Sequence, residues 1–228
     1  MKYCLVIILF SLSFYQGIPS FNEKRAMDLL ITQCDMGPRY PGSLGHQNMK
    51  KFMEIFLKPL SDSLYIMNED IPHPYQNSTM HLTNFLARYH IEASYRIMFM
   101  AHWDTREFAD QDPDPKKQKL PVIGANDGAS GVAVLLTLAE ILHILPLLNI
   151  GIDLLFVDGE DQGRSGDPEN FGLGTQAFAK HIPEPWPQFA ICLDMVADYE
   201  QEFLIEYFSL QQAPEVVQVI WTLANALG

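Results

Sequence analysis

Three short apolar runs, Arg96–Ala101, Ile150–Val157 and Phe189–Leu193, each lead straight into acidic or imidazole side chains. The first meets His102-Trp103-Asp104, the second Asp158-Gly159-Glu160-Asp161, and the third Asp194-Met195. Apolar runs of this length suit central strands of a sheet covered on both faces. Gly128–Leu145, rich in Ala, Leu and Val, predicts a helix between the first two runs. Gly174–His181 predicts a shorter helix between the last two. Strand, helix, strand, helix, strand implies a largely parallel sheet with right-handed crossovers. Ligand sites in open α/β sheets lie just beyond the carboxyl ends of the strands. The side chains after the three runs are therefore expected to converge on one edge, joined by Asp127 at the start of the long helix.

Several carboxylates and an imidazole brought together repel and desolvate one another at high cost, and a divalent cation removes that cost. The three cysteines form no Cys-x-x-Cys pair, so a thiolate cluster is excluded and any metal site must use His, Asp and Glu. Such a donor set suits catalytic zinc, or manganese or cobalt. Adjacent acids allow one to bind metal while the other acts as a general base. Each feature alone has a plainer reading. Asp127 suits a helix N-cap, Glu160-Asp161 a solvated loop, and His102 with Asp104 a buried hydrogen-bonded pair. All of them at one sheet edge favour a shared site. His73, His81, His90, His143 and His181 have no comparable placement and read as structural or surface residues. The formal net charge of -13 argues against nucleic acid or an anionic membrane surface as partner, and suits cations or substrates with a free amine.

Elsewhere, residues 22–34 and 44–60 read as helices, separated by the turn-rich segment Gly37–Ser43. Leu64–Glu69 and Asn84–Tyr89 read as short strands, and Asp110–Lys119 as an exposed charged loop. Ala213–Gly228 reads as an amphipathic helix, with Val216, Val217, Ile220, Leu223, Ala224 and Leu227 at helical spacing. Residues 1–20 have the form of a secretory signal peptide, which leaves 21–228 as a single α/β domain. Cys34 and Cys192 are expected to be two buried free thiols. Asn77-Ser78-Thr79 fits an N-glycosylation acceptor.

Ala101-His102-Trp103-Asp104, the stretch Gly124–Gly131 (GANDGASG) and Phe156-Val157-Asp158-Gly159-Glu160-Asp161 resemble motifs of the zinc exopeptidase family. Within it they resemble the branch of the glutaminyl cyclases and related secreted aminopeptidases. Leu193-Asp194-Met195-Val196 and Leu173-Gly174-Thr175 fit further motifs. Gly37-Pro38-Arg39, Pro41-Gly42-Ser43 and Trp103 favour the cyclase side. The resemblance implies a three-layer α/β/α fold with a mixed, centrally parallel sheet. It implies a secreted or periplasmic enzyme that acts on peptides with a free N-terminus, without membrane insertion once the signal is removed. The implied cofactor is zinc, one ion for a cyclase and two for an aminopeptidase. Asp127 and Asp161 would be zinc ligands and Glu160 the general acid and base. His102 would hold a second ion or wall the pocket. Asp194 would hold the substrate in a cyclase, or the second ion in an aminopeptidase. Asp104 would orient the histidine. A C-terminal histidine ligand of the family matches no residue up to Gly228, so a C-terminally incomplete domain is expected. The leading expectation is a glutaminyl-peptide cyclotransferase. The alternatives are a di-zinc aminopeptidase and a truncated non-catalytic homologue.

Overall fold

The computed structural model describes residues 19–145 and 149–227. The expected signal peptide lies almost wholly outside the described residues. Two capped helices come first. Asn22 caps α1 (Glu23–Asp35), its side chain accepting from the Arg25 N–H at 2.9 Å. Ser43 caps α2 (Leu44–Leu57) in the same way through the His46 N–H at 3.0 Å. Such caps satisfy backbone donors that a helix leaves orphaned. A hairpin follows, β1 (Ser63–Pro72) and β2 (Thr79–Tyr89), both longer than the sequence pattern indicated. Then come β3 (Arg96–His102), α3 (Ala129–Ile144), β4 (Gly151–Val157), α4 (Leu173–Phe178) and β5 (Ala190–Cys192). Two last helices are α5 (Tyr207–Gln212), which the sequence reading did not include, and α6 (Pro214–Leu227).

The sheet order is β1-β2-β4-β3-β5. β1 with β2, and β2 with β4, are antiparallel; β4 with β3, and β3 with β5, are parallel. The sheet is mixed with a parallel centre, as the resemblance implied. Strand alternation divides the core into two faces. Phe85, Ala87, Ile152, Leu154 and Phe156 face Leu29, Met49, Met53, Leu57, Val132, Leu135 and Leu136 of the first three helices. Leu86, Met98, Leu155 and Val157 face Phe178 of α4. Every residue of β4 is buried, which explains its run of apolar residues, interrupted only by Asp153. α3 is apolar on nearly all sides because it too is buried on most of them.

β5 departs from expectation. It is three residues long, and among the described residues it forms the sheet's edge, with Ala190 and Cys192 exposed. Cys34 and Cys192 are both free, but Cys34 is half-buried and Cys192 exposed, so neither is a core thiol. α6 also differs from a helix packed along its apolar stripe. Val217 is its buried residue, while Leu223 and Leu227 are exposed.

The parallel centre requires α3 to lie tight against the segment after β5. A Cβ at Gly131 would collide with the Leu193 carbonyl oxygen and press on Ala101. Gly131→Ala is therefore expected to cost about 1–3 kcal/mol in a urea unfolding curve, as overpacking against backbone does. An unchanged midpoint would show that this approach is looser than described.

Candidate active site

Each ligand-type side chain sits where a strand stops. His102 is the last residue of β3, Glu160 and Asp161 follow β4, Asp194 follows β5, and Asp127 precedes α3. Strands β4, β3 and β5 are neighbours, so their carboxyl ends bring these residues to one edge. Gly128 makes the turn into α3 with φ +88°, and a Cβ there would stand 3.0 Å from His102 Cε1. Only glycine adopts that conformation readily, and it lets Asp127 approach the imidazole. The N-cap reading of Asp127 does not hold: Gly128 is the cap, with no side-chain capping bond.

His102 Nε2 lies 3.0 Å from Asp127 Oδ1 and 3.4 Å from Asp194 Oδ1. His102, Asp127 and Asp194 offer ligand atoms all within 4.8 Å of one another, the one such group among the described residues. His102 is 3% exposed, yet neither ring nitrogen makes a hydrogen bond; Asp104 Oδ1 stands 3.5 Å from Nδ1. A buried imidazole with no well-formed hydrogen bond, facing three carboxylates, is a donor set that suits a cation. Burial alone would lower the His102 pKa, but Asp104, Asp127 and Asp194 outweigh it and hold the ring well above its ordinary value. These residues fit a divalent metal ion.

Asp161 stands apart from that trio. Its Oδ1 accepts from Arg106 Nη1 at 3.3 Å, and Arg106 is itself held by Asp110 at 2.8 and 3.1 Å. Burial, then Asp127 and Asp104, push the Asp161 carboxyl up to about 6. Burial is also the first cause that pushes Glu160 up to about 7; the neighbouring carboxylates add to it. Desolvation is thus a larger cause than the crowding of carboxylates. Asp194 is held below its ordinary value, chiefly by His102.

Asp104 is completely buried and works mainly as a clamp. Its carboxylate accepts from the Glu160 N–H at 3.0 Å, the Asp161 N–H at 3.2 Å and Gln162 Nε2 at 2.9 Å. One acid at the end of β3 thus fixes the loop after β4. Asp194 is placed by its neighbours: the Val196 N–H donates to Ser130 Oγ at 3.0 Å, and the Ala197 N–H to Asn126 Oδ1 at 2.9 Å. A cavity of about 450 Å³ opens beside the group, lined by His102, Glu160 and Asp194 together with Met100, Phe171, Thr175 and Cys192.

Two sequence features that favoured the cyclase branch lie behind the site. Trp103 is fully buried, stacked on His46 with ring centroids 4.5 Å apart, so it touches no substrate space. Arg39 is also fully buried. It donates to the carbonyls of Trp103, Ile123 and Gly124, each at 3.0 Å, and so ties together the loops that carry His102 and Asp127. Sequence reasoning overlooked His46 and Arg106. A basic residue two beyond Asp104 was the available signal for Arg106; His46 had none, since its partner lies 112 residues away.

Comparison with known proteins gives a consistent result. The model of peptidase family M28 matches residues 84–228. A mouse (Mus musculus) glutaminyl-peptide cyclotransferase-like protein is 26% identical over 172 residues, which cover 70% of this chain and 43% of that relative. The chain thus spans less than half the length of this curated relative. A Zn-dependent exopeptidase from Parabacteroides distasonis superposes with a TM-score of 0.87 at 33% identity, covering 93% of this chain and 74% of that one. The glutaminyl cyclase of Porphyromonas gingivalis superposes equally well, TM-score 0.87, at 35% identity, covering 91% and 73%.

Proposed function

The chain belongs to peptidase family M28, and from that premise we propose that it is a zinc-dependent glutaminyl-peptide cyclotransferase. It would convert the N-terminal Gln of a peptide into pyroglutamate and release ammonia. The observation that carries this reading is the place of Glu160, a half-buried carboxyl on the wall of the cavity that His102 and Asp194 also line. Burial there favours a carboxyl that accepts and returns a proton.

In this reading the N-terminal Gln enters the cavity with its α-amine toward Glu160. Glu160 takes a proton from the amine as its nitrogen forms a bond to the side-chain carbonyl carbon. The bond from that carbon to the amide nitrogen breaks, and Glu160 returns the proton to the departing ammonia. Both reacting groups belong to one residue, so orientation supplies much of the acceleration. Asp194 holds the reacting nitrogen. Asp127 and Asp161 would hold zinc, with His102 as pocket wall. Zinc bound there supplies Lewis-acid polarisation of the side-chain carbonyl. Asp104 keeps Glu160 and Asp161 in place through their backbone N–H groups. Residues 1–20 act as a secretory signal in this proposal, and the product is extracellular or periplasmic.

The close grouping of His102, Asp127 and Asp194 favours one second reading, an aminopeptidase with two zinc ions. There Glu160 would serve as general base for water that attacks the first peptide bond. Mass spectrometry separates the two. With zinc supplied, a peptide beginning with Gln is expected to lose ammonia, while one beginning with Leu stays intact. Loss of the whole first residue would establish the aminopeptidase instead.

A further inference from the structure

Behind the candidate site, on the side away from the cavity, lies a buried imidazole–carboxylate pair that the mechanism above does not use. His46, in the first turn of α2, is 3% exposed, and its Nε2 lies 2.8 Å from Oδ2 of the completely buried Asp158. Asp158 is the residue after β4, two before Glu160. Its carboxylate also accepts from the Thr83 N–H at 2.7 Å and the Gly159 N–H at 2.9 Å, and its own N–H donates to Asn84 Oδ1 at 2.9 Å. Gly159, with φ +64°, then turns the chain so that Glu160 follows. The ring of His46 stacks on Trp103 at 4.5 Å with 25° between planes, and Trp103 sits between His102 and Asp104. One side chain therefore presses on both strand ends that carry the chemistry: on β4 through Asp158, and on β3 through Trp103.

We propose that His46 is a positioning residue for Glu160, acting through Asp158 and the Gly159 turn. A merely structural histidine would need one satisfied hydrogen bond and some cover. His46 instead donates from Nε2 to the carboxylate that enters the Gly159 turn, and that carboxylate has no exposed surface to recruit water as a substitute. Burial pushes the Asp158 carboxyl up, and His46 is the first contact that opposes it. Without His46, Asp158 keeps two backbone donors but loses its one side-chain partner among the described residues. Such a buried acid relaxes by moving or by taking a proton, and either change shifts the Gly159 turn. Asp104 still holds the Glu160 N–H from the other side, so the loop stays in place while the direction of its first residues changes.

The inference rests on Glu160 as the proton-transfer group, so its test carries a readout that does not depend on activity. Two variants of the full zinc-loaded chain are compared with the wild type. His46→Leu removes the polar contact and keeps much of the volume; His46→Gln keeps a nitrogen within reach of Asp158. In His46→Leu, kcat on the Gln peptide is expected to fall by about 10- to 100-fold, as for loss of a group that orients a reacting side chain. KM and zinc content stay near wild-type values. Amide hydrogen exchange at residues 159–161 accelerates, while exchange across the β1–β2 pairing does not. His46→Gln restores most of kcat and of the protection. Exchange at 159–161 that is unchanged in His46→Leu would overturn the inference whether or not the chain is active. So would a loss that His46→Gln fails to repair, or faster exchange spread evenly over the sheet. If the wild type itself shows no turnover, the cyclase reading fails, while the exchange result still decides the positioning role.

Discussion

Glu160→Gln is expected to lower ammonia release from a Gln-initiated peptide by about 10²- to 10⁴-fold, the range typical for removing a positioned proton-transfer group. The amide is nearly the same shape as the carboxyl, so the cavity and its lining stay intact. It cannot carry the proton from the attacking amine to the departing nitrogen. Zinc content is expected to be unchanged, because in this proposal Asp127 and Asp161 hold the ion and Glu160 only carries the proton. Both quantities need measuring on the same preparation, turnover by mass spectrometry and zinc by elemental analysis. Turnover retained within a few-fold would remove Glu160 from its role. Turnover and zinc lost together would make it a ligand instead.

The largest effect on stability is expected at Asp153, far from this chemistry. It lies in the middle of β4 and is 1% exposed. Arg88 Nε and Nη2 donate to its two oxygens at 3.0 and 3.2 Å, and Arg96 Nη2 and Nε donate to Oδ1 at 2.7 and 3.0 Å. Both guanidinium groups are buried, and their other donors reach backbone carbonyls, Arg88 to Glu184 and Pro185, Arg96 to Tyr89 and His90. Asp153→Ala would leave two buried cations without a counter-charge. Removing one member of such a cluster costs about 3–5 kcal/mol, a large share of the roughly 5–15 kcal/mol that holds a domain folded. Asp28→Ala is the contrasting control. It breaks the exposed Lys24–Asp28 pair, a kind of contact worth about 0–1 kcal/mol. Urea midpoints that shift equally in the two variants would show that the buried cluster adds nothing beyond a surface pair.

The fold's centre was readable because it is written in local pattern. IGIDLLFV, apolar but for Asp153 and followed by Asp-Gly-Glu-Asp, leaves little choice but a buried strand with a site at its end. The same pattern also misled. FAICL carries an equally apolar run, yet its strand is short and exposed at the sheet's edge, since an apolar run reports what a strand prefers and not which neighbours it has. The metal-type residues were found by position after strands, and the resemblance already set His102 and Asp194 at one second ion; what it did not include was Asp161 turning to Arg106. Asp153 was equally hidden. An acid inside a buried strand demands cationic partners, but those partners lie 65 and 57 residues away in the chain. Contacts that span such distances depend on strand order, which one-dimensional periodicity does not contain.

The short last strand also sets a clock. Asp194 is carried two residues beyond β5, whose register with β3 spans three residue pairs, Met98 with Ala190 through Met100 with Cys192. Edge segments with so few ladder bonds open locally far more often than the sheet's centre does. An opening of residues 190–193 would carry Asp194 from His102 and Asp127, against the Val196 and Ala197 bonds to Ser130 and Asn126. Release of anything held jointly by those three side chains is therefore expected to depend on the detachment of this edge as well as on the grip itself.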